Sequence, residues 1–339
     1  MRQRTANSFM PFYKGKNKID VYKRQLLSST DLIIKEKKTE IYPISIVIGD
    51  TTDDYYTNFR KGVDKAADEY NVDVNFITLY EKGDVMEQMD LLKREIDDGA
   101  KAVVLVPLKQ QECSAMLDGM VLGSPLIVMG TIFPGDWAMS GISQDYQETG
   151  KMLGEAIAKE NPPDKPVLVF SEGLEYGYNK EVYKSLLAAL SRAGFHVQLY
   201  EKYRGGASGT SAAECEDDFR RTIEETAVFS SGEEILVALD VQSLDEVADV
   251  IAGSPVYGKD TPNLYGFGST TKILNQMDRG VIKGLVTTNQ FDAGYLSIVK
   301  AVEAIEKRGD RDQIVLESYY IEKDDLKETR FEKILYPIE

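Results

Sequence analysis

The sequence predicts an α/β protein built as two doubly wound, parallel-sheet lobes joined by a multi-strand hinge. Three observations predict it. From Ile41 onward short β-branched runs alternate with helical stretches, the arrangement of parallel βαβ units. A proline-rich segment, Asn161-Pro162-Pro163-Asp164-Lys165-Pro166, reads as a crossover linker, and a second series of the same type follows it. After that series stands one further helix with no strand of its own lobe to enter, then a strand and a polar tail.

The elements follow in order. Residues 42–49 (YPISIVIG) form a short β-branched run that predicts a buried strand, and 55–70 carry Phe59, Val63, Ala66 and Tyr70 at helical spacing. The pattern recurs as strand 72–79, helix 84–98 with Val85, Met89, Leu92 and Ile96 on one stripe, strand 102–106, helix 110–122 and strand 125–129. A strand near 139–143 leads into a helix over 146–159. In the second series the strands are expected at 167–170, 196–200, 234–239, 263–267 and 282–287, and the helices at 180–193, 216–226, 244–251 and 271–277. The extra helix spans 292–307, with a strand near 315–321 after it. Its simplest placement is a return to the first lobe, which predicts residues 42–162 plus 290–313 for lobe 1 and 163–289 plus 314–339 for lobe 2.

Composition narrows the function classes. The 339 residues suggest two or three domains, and 42% hydrophobic with 28% charged residues is ordinary globular usage. The net charge is −16, so nucleic acid is not an expected partner. Residues 1–38 hold ten Lys or Arg against three acids, +7, which leaves −23 for the rest. This basic leader, 1–41, is expected to lie outside the fold. It shows no apolar stretch of a signal peptide, and its Val21-Tyr22-Lys23-Arg24-Gln25 string resembles a translated read-through tag. Two cysteines, Cys113 and Cys215, make no disulfide framework, and a single histidine, His196, makes a zinc site improbable.

Ligands of open parallel sheets sit beyond the carboxyl ends of the strands, so chemistry is sought there. After the first strand stands Asp50-Thr51-Thr52-Asp53-Asp54-Tyr55-Tyr56. Its acids suit acid–base work, a cation, a hydroxylated ligand or a helix cap. Two consecutive tyrosines on a first helical turn cannot both face the core, so one is expected at the cleft, offering a stacking face with a polar tip. The nearest approach to a phosphate loop, Gly253 to Asp260, ends in Asp, contains Pro255 and follows a helix, which argues against it. His196 reads as structural, Cys113 and Cys215 as ordinary residues, and Trp137 as packing. No nucleophile–base pair or metal cluster stands out. No catalytic residue, metal or cofactor is therefore expected.

Two βα lobes, a proline-marked crossover and an aromatic pair after the first strand together resemble the type I periplasmic-binding-protein fold. The likeness is to ribose- and galactose-type sugar-binding proteins and the ligand-binding core of LacI-type repressors. Its motifs are ISIVIGDTTDDYYTNFRKGVDKAADEY, AVVLVPL, PLIVMGT, the Asp145 to Gly150 helix start, ILVALD, LYGFGST and GLVTTNQFDAGYLS, over about 44–320. The resemblance implies ligand contacts at Asp53, Tyr55 and Tyr56 in lobe 1 and at Asn179 and Asp240 in lobe 2. Thr131, Gly268 and Thr288 stand at further contact positions but depart from the family pattern. Gly130-Thr131 replaces an Asp-Arg pair, Gly268 an Asp, and Thr288 a hinge Gln. Several charged sugar-clamping groups are thus missing, which implies an altered ligand or weaker binding of a small polyol.

The function implied is an extracytoplasmic solute-binding protein, in the periplasm or at the cell surface. It would close two lobes on a small, sugar-like ligand and serve an ABC-type importer or a membrane sensor kinase. The alternative is the core of a LacI-type transcription regulator, but about 41 residues precede the core and show no helix-turn-helix pattern.

Overall fold

The computed structural model describes residues 41–49, 55–80, 83–130, 137–203, 212–228, 234–253 and 263–337, with no side-chain description for Tyr55, Ala212, Ala213, Ala227 or Val228. The leader 1–40 lies outside the described residues.

The first half reads β1 (Tyr42–Ile48), α1 (Tyr55–Tyr70), β2 (Val72–Thr78), α2 (Val85–Asp97), β3 (Ala102–Leu105), α3 (Gln110–Leu117), β4 (Leu126–Met129), β5 (Ala138–Gln144) and α4 (Tyr146–Glu160). The second reads β6 (Val167–Ser171), α5 (Asn179–Arg192), β7 (Val197–Glu201), α6 (Ala212–Ile223), β8 (Ile235–Ala238), α7 (Val241–Gly253), β9 (Asn263–Phe267), α8 (Thr271–Asp278) and β10 (Ile282–Thr288). Then come α9 (Gln290–Ile305), β11 (Asp312–Leu316), β12 (Ser318–Glu322) and α10 (Thr329–Leu335).

These strands make two six-stranded sheets, ordered β11-β5-β4-β3-β1-β2 and β12-β10-β9-β8-β6-β7. Every pairing is parallel except that of β10 with β12. Strand runs buried on both faces explain why the sequence reads as continuous β-branched stretches. In β1, Ile44 and Ile46 join the cluster of α1 and α9, while Val47 joins that of α2 and α3. In β6, Leu168 and Phe170 face α7 and α8, whereas Val167 and Val169 face α4 and α5. Each sheet with its two helical layers is called a lobe below.

The chain crosses between sheets at three places, and they are not where the prolines stand. Helix α4 packs on α5, and its Leu153 and Ile157 lie in the core of the second sheet. The first crossing is therefore at Gln144 and Asp145, between β5 and α4. The segment 161–166 only links two elements of lobe 2, so the boundary expected at 162/163 moves back. The second crossing is at Thr288 and Asn289, since α9 packs on α1 and the first sheet. The third is Glu317. The single strand expected over 315–321 is two strands, β11 in the first sheet and β12 in the second, so the change of sheet comes after Leu316 rather than at 313/314. Val315 belongs to a strand of lobe 1 and Ile321 to the core of lobe 2.

Helices that begin at the first two crossings are built alike. Asp145 accepts hydrogen bonds from the backbone N–H of Gln147 (3.1 Å) and Glu148 (2.9 Å), and Asn289 accepts one from Asp292 (3.1 Å), each satisfying donors of a first helical turn. Five residues after each cap comes a glycine at which the helix meets its partner backbone to backbone. A Cβ on Gly150 would collide with the Val182 carbonyl oxygen, and one on Gly294 with that of Phe59. The crossings are tied together by the Thr149 and Ser318 hydroxyls, 3.0 Å apart, and by the Gln313 amide, which donates to Ser143 Oγ at 3.0 Å.

Candidate functional site

A cleft of about 380 Å³ lies at the carboxyl ends of both sheets, lined from lobe 1, lobe 2 and the crossings. A smaller extension of about 210 Å³ shares Tyr56, Asn179, Gln242 and Thr288 with it and reaches Asp240 and Gly268. Loops after β1 and β3 meet here because strand order reverses between those strands, the position at which open α/β sheets bind ligands.

The sequence-expected residues fall into three groups. Asp53 and Thr131 lie outside the described residues, and of Tyr55 only the backbone is described, as the first residue of α1. Tyr56, Asn179, Asp240, Gly268 and Thr288 are brought together at the cleft and its extension. Tyr56 stands edge-on to Phe59, with ring centroids 6.1 Å apart and planes at 82°. Tyr56 lines both the cleft and its extension.

Asn179 and Asp240 form the centre of a network internal to lobe 2. Asp240 Oδ2 accepts hydrogen bonds from Ser171 Oγ (3.1 Å), the Glu172 backbone N–H (2.9 Å) and Asn179 Nδ2 (3.0 Å), and Oδ1 accepts one from the Ser243 backbone N–H (2.9 Å). A carboxylate offers about four acceptor sites, and four donors meet it here. Asn179 Nδ2 also approaches Ser171 Oγ and the Gly173 carbonyl oxygen, each at 3.1 Å. This pair fixes the start of α7 to the loop after β6, so the position matched to a ligand contact carries a large structural share.

Gly268 explains one departure from the family pattern. Its φ is +119°, and a Cβ there would stand 2.8 Å from Val241 Cγ2, so a side chain at this position requires both backbone strain and displacement of α7. Gly130 explains another. Its φ is +144°, and the Tyr178 hydroxyl occupies the space that a Cβ would fill. Thr288 is buried at the second crossing, and its hydroxyl accepts from Gln290 Nε2 at 2.8 Å. Its neighbour Thr287 donates to Ser269 Oγ at 2.8 Å.

Sequence reasoning missed most of the aromatic lining. Tyr146 and Tyr178 stack with centroids 3.9 Å apart and planes 8° from parallel, and Tyr176 lies 5.6 Å from Tyr203. Burial, with nearby Glu172, pushes the Tyr203 hydroxyl far above its ordinary pKa, and burial raises that of Tyr176. Both rings are therefore neutral hydrogen-bonding groups across physiological pH. Glu172, Gln144, Gln242 and Gln290 add polar groups to the wall. The rule applied to Tyr55-Tyr56, that residues just past a strand face the cleft, also finds Glu172 and Tyr176-Gly177-Tyr178 after β6.

The other residues weighed for chemistry lie elsewhere. His196 is exposed at the opposite end of β7, Cys113 is buried against Gln88, and Cys215 is buried in α6. Trp137 packs on the core of α2 and α3 and donates from Nε1 to Asp118 Oδ1 at 3.1 Å. Among the described residues no cluster of three His, Cys, Asp or Glu side chains is placed to hold a metal ion, and no helix is long and apolar enough to cross a membrane.

Comparison with known proteins agrees with this architecture. Among curated proteins no sequence relative was found. Solved structures of similar fold include GanP, a glucose-galactose binding protein from Geobacillus stearothermophilus, with TM-score 0.70 and 17% identity over 85% of this chain and 100% of that one. A carbohydrate transporter solute binding protein from Agrobacterium radiobacter, in complex with D-arabinose, gives TM-score 0.72 and 17% identity over 87% and 99%. A XylFII-LytSN complex gives TM-score 0.68 and 14% identity over 84% and 99%. At these identities the likeness is one of fold. The family described as periplasmic binding protein domain, a family of binding proteins rather than enzymes, matches residues 44–309, and the chain belongs to that family.

Proposed function

We propose that the protein is an extracytoplasmic solute-binding protein that closes its two lobes on a neutral, hydroxylated ligand of sugar type and presents the closed form to an ABC-type importer. The observation that carries this reading is the cleft itself. It lies between two sheets that the chain joins at three crossings, and it is walled by aromatic rings and by polar groups from both lobes and from the crossings, mostly amides and hydroxyls with the Glu172 carboxylate among them. Aromatic faces suit the C–H faces of a sugar ring, and amides and hydroxyls suit its hydroxyl groups. Hinge closure then follows from ligand contacts that exist to both lobes only in the closed form.

Tyr56 and Thr288 are read as direct ligand contacts, and Asp53, Tyr55 and Thr131 are kept as contacts on the family resemblance alone. Asn179, Asp240 and Gly268 are read as shaping the lobe 2 wall. The neighbours support a carbohydrate ligand, since those from Agrobacterium radiobacter and Agrobacterium vitis carry D-arabinose and D-fucose. The XylFII-LytSN complex favours a second reading for the partner, a membrane sensor in place of an importer.

A thermal-shift and calorimetric panel of D-arabinose, D-fucose, D-galactose, D-glucose and disaccharides tests the reading. A ligand present at a hundred times its Kd adds about 2.7 kcal/mol of stability, which appears as a rise of several degrees in Tm. A panel in which no neutral sugar raises Tm or releases heat at millimolar concentration overturns it. A hit whose affinity is unchanged in both Asp53→Ala and Asp240→Ala overturns the site instead.

A further inference from the structure

The two lobes touch each other directly across the cleft, through one tripeptide. Gly177 donates its backbone N–H to the Leu108 carbonyl oxygen at 2.7 Å, so that Lys109 and Gly177 form an isolated parallel bridge between the loops after β3 and β6. On either side of this bond a tyrosine of lobe 2 meets a glycine of lobe 1. The Tyr176 hydroxyl stands 3.0 Å from where a Cβ on Gly83 would be, and the Tyr178 hydroxyl fills the place of a side chain at Gly130. Lys109 adds its ammonium over the Tyr176 ring, 5.1 Å from the centroid.

The tripeptide is held ready by its own lobe. The Leu174 backbone N–H donates to Glu201 Oε1 at 2.8 Å, and Asn179 Nδ2 to the Gly173 carbonyl oxygen at 3.1 Å. Tyr178 is stacked on Tyr146 and Tyr176 leans on Tyr203. Little conformational freedom remains to be lost when these rings meet lobe 1. A second tie joins the lobes at α1, where Asn58 Nδ2 and Lys61 Nζ donate to the carbonyl oxygens of Leu335 and Pro337, at 3.2 and 3.1 Å. Both carbonyls belong to a C-terminal segment whose Phe331 and Leu335 sit in the lobe 2 core.

We propose that Tyr176-Gly177-Tyr178 is a clasp that closes the lobes without ligand, received by Gly83, the Leu108 carbonyl and Gly130. None of these contacts passes through a ligand, so the closed form is populated in the free protein and ligand capture is shifted toward selection of a pre-existing state. Tyr176 and Tyr178 are then positioning residues. They raise affinity by raising the closed fraction, because apparent Kd varies inversely with that fraction.

The test is made on ligand-free protein. Spin labels at Asp90→Cys on α2 and Arg192→Cys at the end of α5, both exposed positions, report the distance between lobes, and the buried native cysteines escape labelling. The expected result is a dominant short distance in the parent protein. Y176A/Y178A is expected to lower the closed-to-open ratio about tenfold, since both rings lose the surface they bury against Gly83 and Gly130 of lobe 1. K109A, which removes the cation–π contact together with an ion pair to Glu112 inside lobe 1, is expected to lower it about threefold. A parent protein found only at the longer distance, or an unchanged ratio in both variants, overturns the clasp. Neither outcome depends on whether the cleft takes a sugar.

Discussion

The two lobes share one topology and present opposite faces to the cleft. Among the described residues lobe 1 sets the small or apolar Gly83, Pro107, Leu108, Met129, Gly130 and Ile142 opposite the lobe 2 tyrosines, with Tyr56, Phe59 and Ser143 elsewhere on its wall. Lobe 2 projects Tyr176, Tyr178 and Tyr203 and sets them on a carboxylate-centred network around Asp240. One face receives and the other inserts. A parallel sheet specifies where its loops emerge, but the loops themselves are free to differ, because they add no residue to the barrier of buried strands behind them. The polar anchoring of the helices, by contrast, is alike in the two lobes. Lobe 2 ties β9, β10, β12 and α4 through Glu160, which accepts from the Tyr265 and Tyr320 hydroxyls at 2.8 Å each and pairs with Lys283. In lobe 1, Asp312 ties β5, β11 and α9 in a similar way, accepting from the Ser140 hydroxyl and pairing with Lys300 at 2.8 Å, beside an exposed bond from the Tyr295 hydroxyl to Glu69.

If lobe 2 depends on its Asp240 network as the contrast between the two faces implies, Asp240→Ala has the largest effect. It strands the Glu172 backbone N–H, the Asn179 amide and the α7 N-terminus together, and unfolding free energy is expected to fall by about 2–4 kcal/mol. Urea denaturation measures it. A fall below about 0.5 kcal/mol would make Asp240 a residue held for the ligand alone.

Gly268→Ala comes next. It combines a positive φ with contact on Val241 and is expected to cost about 2 kcal/mol, read from the same denaturation curves. Retained stability would mean that α7 yields, and that the absence of a side chain at 268 has a cause other than space.

The smallest effect is read by pH. Burial, with Glu160 as hydrogen-bond acceptor, raises the pKa of Tyr265 and Tyr320 well above the ordinary tyrosine value, and burial with Glu317 pushes Tyr319 up to about 12. A raised tyrosine pKa means that the unfolded chain releases its proton first. Stability from these groups is therefore intact below about pH 10 and is lost as pH rises toward the folded values. Tyr320→Phe is expected to cost about 1 kcal/mol at pH 8 and to lose less than the parent between pH 9 and 11. Equal alkaline losses in the two proteins would remove Glu160 from the explanation.

Legibility followed the range of the interactions. Hydrophobic period and β-branched runs reproduced nearly every strand and helix, because a strand buried on both faces and a helix buried on one are local consequences of where apolar side chains must go. Of the pair Tyr55-Tyr56, Tyr56 lines the cleft, while the side chain of Tyr55 lies outside the described residues. Asn161 to Pro166 misled, since prolines mark the end of a helix whatever lies next and say nothing about which sheet that helix covers. Glu317 could not be seen as a break, because β11 and β12 are each compatible with one continuous strand until their partners, β5 and β10, are known.

By itself the sequence determined the class of fold, the order of its elements, the acidic body and the cleft end of each sheet as the place for a site. All of these depend on residue type and spacing along the chain. Only the tertiary structure decided that α4 belongs to lobe 2, that Asp240 spends its carboxylate on its own lobe, and that Tyr178 stands in the space left by Gly130. Those facts depend on which surfaces meet after the chain has crossed three times, and a contact between residues 130 and 178 leaves no periodic trace in the segments that make it.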